Sequence, residues 1–142
     1  MYTEIILVED SSDDAELMMR ALKSLNLKNP IVWLKDGEEA IDYIFGEGQY
    51  AENPRSEKAR LILLDLKLPK VSGLDVLRRL KTEETTLNIP VVILTSSREN
   101  SDLKECYDIG ANSYVVKPID YKEFIKATEK VGLYWLLVNE IP

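Results

Sequence analysis

Five short apolar runs rich in Ile, Val and Leu alternate along the chain with stretches in which apolar residues return every three or four positions. The runs cover residues 5–8, 31–34, 61–64, 91–94 and 114–116. Continuous runs of this length read as strands buried on both faces. The intervening stripes have helical spacing: Ala15, Met18, Leu22 and Leu25; Ala40, Ile41, Ile44 and Phe45; Leu74, Leu77 and Leu80; Leu103, Cys106 and Tyr107; and Phe124, Thr128, Val131, Trp135 and Val138. The Ser/Asp cluster 11–14 and Asp120 stand where helix N-caps belong. A βα unit repeated five times predicts an α/β fold, a parallel sheet covered by helices on both faces. The length of 142 residues suits a single domain spanning 1–142. Residues 46–60, with Gly48, Asn53 and Pro54, are long for a plain connection and are expected to be an insertion or functional loop. The fifth stripe predicts an extended C-terminal helix or tail.

The net charge of -7 disfavours nucleic acid and anionic lipid surfaces as partners. No apolar run approaches the roughly 20 residues that span a bilayer, and the first residues lack a basic, signal-like segment. A single cysteine, Cys106, rules out an internal disulfide and a cysteine-based zinc site, and a cytoplasmic location is expected. The chain contains no histidine. Histidine-dependent triads are therefore excluded, and any metal site must use oxygen ligands, which favours Mg²⁺, with Mn²⁺ or Ca²⁺ able to substitute.

Glu9, Asp10 and Asp65 stand at the ends of apolar runs, as do Thr95 and Lys117. In a parallel sheet all strand C-termini share one edge, where ligands bind. The five residues are thus expected to converge. Acids in turns often only cap helices, but Asp65 interrupts the run 61–66, where a charge is costly. Crowded carboxylates need a cation or protons to neutralise them. A divalent ion would neutralise them, a carboxylate would be a competent nucleophile towards phosphorus, and Lys117 and Thr95 would meet phosphoryl oxygens.

With these residues in place the chain resembles the receiver domain of two-component response regulators. The features are the acidic pair Glu9-Asp10 after the first strand and Asp65 at the end of the third, with Pro69 and Gly73 four and eight residues on. Thr95 ends the fourth strand, and Lys117-Pro118 follow the fifth, three residues after Tyr114. The resemblance implies a flavodoxin-like, doubly wound (βα)5 fold with strand order 2-1-3-4-5. It implies that Asp65 is the phosphoacceptor, that Mg²⁺ is held by Asp10 directly, by Asp65, by the backbone carbonyl of Lys67 and by Glu9 through a metal-bound water, and that Lys117 pairs with the phosphoryl group. Thr95 and Tyr114 become the switch pair, positions Lys67 and Ser97 tune access of water, and the bond before Pro118 is cis. The pair is Glu-Asp where Asp-Asp also occurs, and Ser96 stands where Ala or Gly is frequent. The 46–60 segment and the tail are similar to stand-alone regulators associated with cyanobacterial phytochromes.

The resemblance further implies a sensor histidine kinase as donor, with a phytochrome as the candidate, and a downstream protein or histidine phosphotransfer protein as recipient. Apolar residues 133–137 suggest a contact surface, with a homodimer through the C-terminal segment or the helix 4–strand 5–helix 5 face as one expectation. The chain is expected to be a signalling domain and not a turnover enzyme. An aspartate-nucleophile phosphatase would need a second Asp where Lys67 stands. A flavodoxin-like FMN binder would need a phosphate-cradling first loop where residues 9–14 carry four acids.

Overall fold

The structure, a computed structural model, describes residues 4–52 and 59–140. Strands β1 (Glu4–Val8), β2 (Ile31–Leu34), β3 (Ala59–Leu64), β4 (Val91–Thr95) and β5 (Ser113–Val116) alternate with helices α1 (Ser12–Lys23), α2 (Gly37–Phe45), α3 (Gly73–Thr82), α4 (Asn100–Ile109) and α5 (Tyr121–Gly132). All pairings are parallel, in the order β2-β1-β3-β4-β5. The parallel sheet is the one expected from the alternation of apolar runs and stripes, and its order is the doubly wound one that the resemblance implies.

Both faces of the sheet are buried because successive strand residues point to opposite sides. Ile6, Val8, Ile62, Leu64, Val91 and Ile93 face one core with Ile44, Leu77, Leu80 and Cys106. Ile5, Leu7, Leu61, Leu63, Val92 and Leu94 face another with Met18, Leu22, Phe124 and Val131. Helices α2, α3 and α4 thus cover one face, and α1 and α5 the other. Side-chain caps start four of the helices: Ser11 accepts from Asp14 N–H, Asp36 from Glu39 N–H, Ser72 from Asp75 N–H, and Asp120 from Lys122 and Glu123 N–H.

Residues 46–60 divide into parts with different structures. Gly46 ends α2 in the left-handed conformation at φ 65, as a C-terminal glycine does, and a 3₁₀ turn follows at Gly48–Tyr50. Arg79 of α3 holds this first part by pairing through both terminal nitrogens with Glu47 and lying 4.1 Å over the Phe45 ring. The expected upper boundary is corrected, because Ala59 and Arg60 already belong to β3. Residues 53–58, including Asn53 and Pro54, lie outside the described residues.

The fifth apolar stripe also departs from expectation. It reaches Trp135, which packs on the α1–α5 core, but Val138 is exposed. Beyond Gly132 the chain passes into a π-helical segment, Leu133–Val138, and Asn139 N–H bonds back five residues to the Tyr134 carbonyl. The wider turn rotates successive side chains less than an α-helix does, so Val138 no longer falls on the core side. Leu133, Tyr134 and Leu137 are exposed beside it.

Candidate functional site

The parallel ladder delivers the site. Asp65 N–H donates to the Val8 carbonyl at 3.1 Å and Lys117 N–H to the Thr95 carbonyl at 2.7 Å, each one residue past its strand. Glu9, Asp65, Thr95 and Lys117 therefore leave their strands at the same edge. Glu9 N–H is held by the Leu34 carbonyl at 3.0 Å, and the Glu9 carbonyl accepts from the Trp33 indole at 2.7 Å.

Carboxylate oxygens of Glu9, Asp10 and Asp65 come within 4.8 Å of one another. Glu9 and Asp65 are buried and Asp10 is exposed at the mouth. Lys117 Nζ lies within the cluster, donating to Glu9 Oε1 at 2.6 Å and to Asp65 Oδ2 at 2.9 Å. Its third donor goes to Asp14 Oδ2, also at 2.9 Å. One ammonium thus bonds three carboxylates, with Asp10 beside two of them, leaving an excess of negative charge.

Two shifted groups register that excess. Burial pushes the Glu9 carboxyl up to about 7; the hydrogen bond from Lys117 opposes the rise and the neighbouring Asp65 charge adds to it. Burial alone would lower the Lys117 pKa, but the hydrogen bond to Glu9 and the charge of Asp65 outweigh it and hold the ammonium well above the ordinary lysine range. The lysine is secure as a cation, and the surplus charge falls on the acids. An all-oxygen donor set with surplus negative charge and an open side fits a hard divalent ion, which takes a few carboxylates and keeps several waters.

Thr95 is fully buried at the end of β4. Ser97, two residues on, connects it to Tyr114: Ser97 N–H makes a 3.4 Å contact to Thr95 Oγ1, and the Ser97 carbonyl accepts from the Tyr114 hydroxyl at 3.1 Å. Burial raises the Tyr114 pKa, so the phenol stays a donor. The Ser97 side chain is buried and donates to Asp102 Oδ2 at 2.6 Å in the first turn of α4. The Lys67 side chain is exposed, and its backbone N–H lies 3.4 Å from Asp65 Oδ1.

The expected cis bond before Pro118 is also corrected: among the described residues no peptide bond is cis. The Lys117–Thr95 backbone bond continues the extended ladder directly into Pro118, and trans is the lower-energy isomer. The first loop does not form a phosphate cradle, since Ser11 N–H is taken up by Glu9 Oε2 at 3.1 Å.

Asp14 is the site residue missed by sequence reasoning. It lies among the acids of the 11–14 cluster, which account for themselves as helix-start residues. The available signal was the three-donor capacity of Lys117, which two acceptors would leave incomplete.

The comparisons agree with this geometry. Residues 5–129 match the family model described as "Response regulator receiver domain". Over 138 residues the chain is 40% identical to the probable methanogenesis regulatory protein FilR2 of Methanothrix harundinacea, covering 97% of this chain and 86% of the relative. The Mn²⁺-bound crystal structure of response regulator Rcp1, a protein of Synechocystis, superposes with a TM-score of 0.91 at 34% identity, covering 99% of each chain. The phosphorylated cyanobacterial phytochrome response regulator RcpA superposes with a TM-score of 0.92 at 34% identity, covering 100% of this chain and 99% of that one.

Proposed function

The chain belongs to the response-regulator receiver family, and from that premise we propose that it is switched by a phosphoryl group accepted on Asp65. The observation that carries this assignment is the contact between Lys117 Nζ and Asp65 Oδ2 at 2.9 Å in the carboxylate cluster. An Asp65 carboxylate oxygen attacks phosphorus as the bond to the donor's imidazole nitrogen breaks. The imidazole leaves with the electron pair and takes up a proton from solvent, and Asp65 becomes an acyl phosphate. Lys117 meets the charge on the equatorial oxygens. Asp10, Asp65 and the Lys67 carbonyl would hold Mg²⁺, with Glu9 accepting from a metal-bound water, and the ion would supply positive charge to offset that of the phosphoryl group. Incubation with acetyl phosphate and Mg²⁺ is expected to add one phosphoryl mass, and Asp65→Asn to add none; an unchanged adduct in Asp65→Asn defeats the assignment.

The raised Glu9 pKa sets the pH dependence of metal loading. Protonated Glu9 must lose its proton to accept from a metal-bound water. Mg²⁺ affinity is therefore expected to fall about tenfold per pH unit below 7, with about one proton released per ion at pH 6 and almost none at pH 9. Calorimetry in two buffers of different ionisation enthalpy measures this release. Glu9→Gln is expected to flatten the slope, and an unaltered slope in that variant assigns the proton elsewhere.

The switch runs through Thr95 and Tyr114. Phosphorylated Asp65 draws the Thr95 hydroxyl, Ser97 moves with it, and the Tyr114 hydroxyl loses its carbonyl partner. In Thr95→Ala, phosphorylation is expected to persist while partner binding no longer depends on it; retained dependence contradicts the coupling.

The donor we infer is a sensor histidine kinase, a phytochrome in particular, supported by the full-length likeness to RcpA. The likeness to FilR2 favours a second reading, a kinase that senses something other than light; phosphotransfer from a purified phytochrome kinase distinguishes them. The recipient is a downstream protein or a histidine phosphotransfer protein. Residues 1–142 act as one receiver unit, with the exposed C-terminal residues as a contact surface for a partner or a second copy.

A further inference from the structure

Lys117 has three N–H donors, and all three are used within 3 Å, by Glu9, Asp65 and Asp14. An ammonium so placed has no donor left for a phosphoryl oxygen, so one bond must be given up when the group arrives. The three acceptors are not equivalent. Glu9 and Asp65 belong to the oxygen cluster that fits a divalent ion; Asp14 does not. A cation there competes with Lys117 for Glu9 and Asp65 and leaves the bond to Asp14 alone.

Asp14 is also held independently of that cluster. Its backbone N–H is tied to Ser11 Oγ at 3.2 Å in the first turn of α1. With Lys117, Ser96, Pro118 and Phe124 it lines an open pocket of about 280 Å³ on the side of α1 and α5.

We infer that Asp14 is a positioning residue for phosphoryl transfer: it keeps the Lys117 ammonium at the acceptor when the metal takes over Glu9, so that the donor released by Glu9 is turned towards the incoming group. The inference rests on Asp65 being the acceptor. Helix-start acids also stabilise α1 through its dipole, and the neighbouring Asp13, exposed in the same turn, serves as the control for that ordinary role.

The test compares native protein, Asp14→Ala, Asp14→Glu and Asp13→Ala in saturating Mg²⁺. The rate of phosphorylation by acetyl phosphate is expected to fall about tenfold in Asp14→Ala, to recover at least in part in Asp14→Glu, and to stay within twofold of native in Asp13→Ala. Mg²⁺ affinity, read from tryptophan fluorescence because the Trp33 indole donates to the Glu9 carbonyl, is expected to change less than twofold in all three. The Lys117 ammonium signal in ¹⁵N-edited spectra is expected to persist in the Mg²⁺-loaded native protein and to be lost by fast exchange in Asp14→Ala. An Asp14→Ala rate within twofold of native, an equal loss in Asp13→Ala, or a retained ammonium signal overturns the inference. Absence of any adduct on native protein would instead overturn the assignment of Asp65.

Discussion

Lys117→Ala is expected to destabilise the metal-free protein by about 3–5 kcal/mol at pH 8. The lysine side chain is only 9% exposed, and its removal strands the carboxylates of Glu9 and Asp65, both nearly inaccessible to water. The loss should depend on pH. Lys117 has a raised folded-state pKa, so its contribution is complete anywhere below the unfolded lysine value. Glu9 behaves in the opposite sense. Its raised pKa means that the folded state binds the proton more tightly, so its charge costs stability as pH rises from the unfolded value of 4.5 to about 7. At pH 5 Glu9 is mostly protonated, one of the stranded charges is gone, and the Lys117→Ala penalty should shrink. Mg²⁺ at pH 8 should recover part of it by supplying the missing positive charge. Urea titrations at the two pH values, with and without Mg²⁺, measure all three effects, and a penalty independent of both pH and Mg²⁺ refutes the electrostatic account. The phosphorylation rate should fall by at least about 100-fold, the cost of losing one preorganised charge at a reacting group.

Gly73→Ala is expected to damage stability and chemistry together. A Cβ at this position would lie 2.0 Å from the Asp65 carbonyl oxygen and 2.6 Å from Leu66 Cα. These are backbone atoms, fixed by the Gly73 N–H bond to the Leu66 carbonyl at 2.8 Å. The clash can be relieved only by pushing the start of α3 away from β3 or by moving the acceptor loop. Overpacking of this kind costs about 3 kcal/mol. A displacement of Asp65 by about 1 Å would lower transfer on the order of 100-fold. Denaturant midpoints and rates per folded molecule separate the two effects. Native stability in Gly73→Ala would mean that the loop yields without cost.

This glycine illustrates how the sequence could be read. Its place eight residues after Asp65 was legible as a pattern, but the pattern carried no reason until the backbone approach was visible. Asp65 itself was legible physically, because an acid closing an apolar run demands an explanation. Thr95 and Lys117 became legible only through the rule that parallel strands end at one edge. Asp14 was not, since acids at a helix start have a sufficient local cause and the lysine that recruits it lies 103 residues away. The bond of the Ser97 hydroxyl to Asp102 within α4 was illegible for a related reason, since spacing related Ser97 only to Thr95. The π-helical segment was illegible because Leu133–Val138 is apolar at every position, and a residue set without a polar face does not record its own turn angle.

The two faces of the sheet have a consequence for descent. Lys117, Asp14 and the pocket they line lie with α1 and α5, whereas Tyr114 packs into the core of α2, α3 and α4, next to the Ser97 turn. The sheet stands between them as a partition. Substitutions on the α1 side and on the α4 side can therefore accumulate separately, each without repacking the other core. After gene duplication, a copy of such a chain can remodel one face at a time.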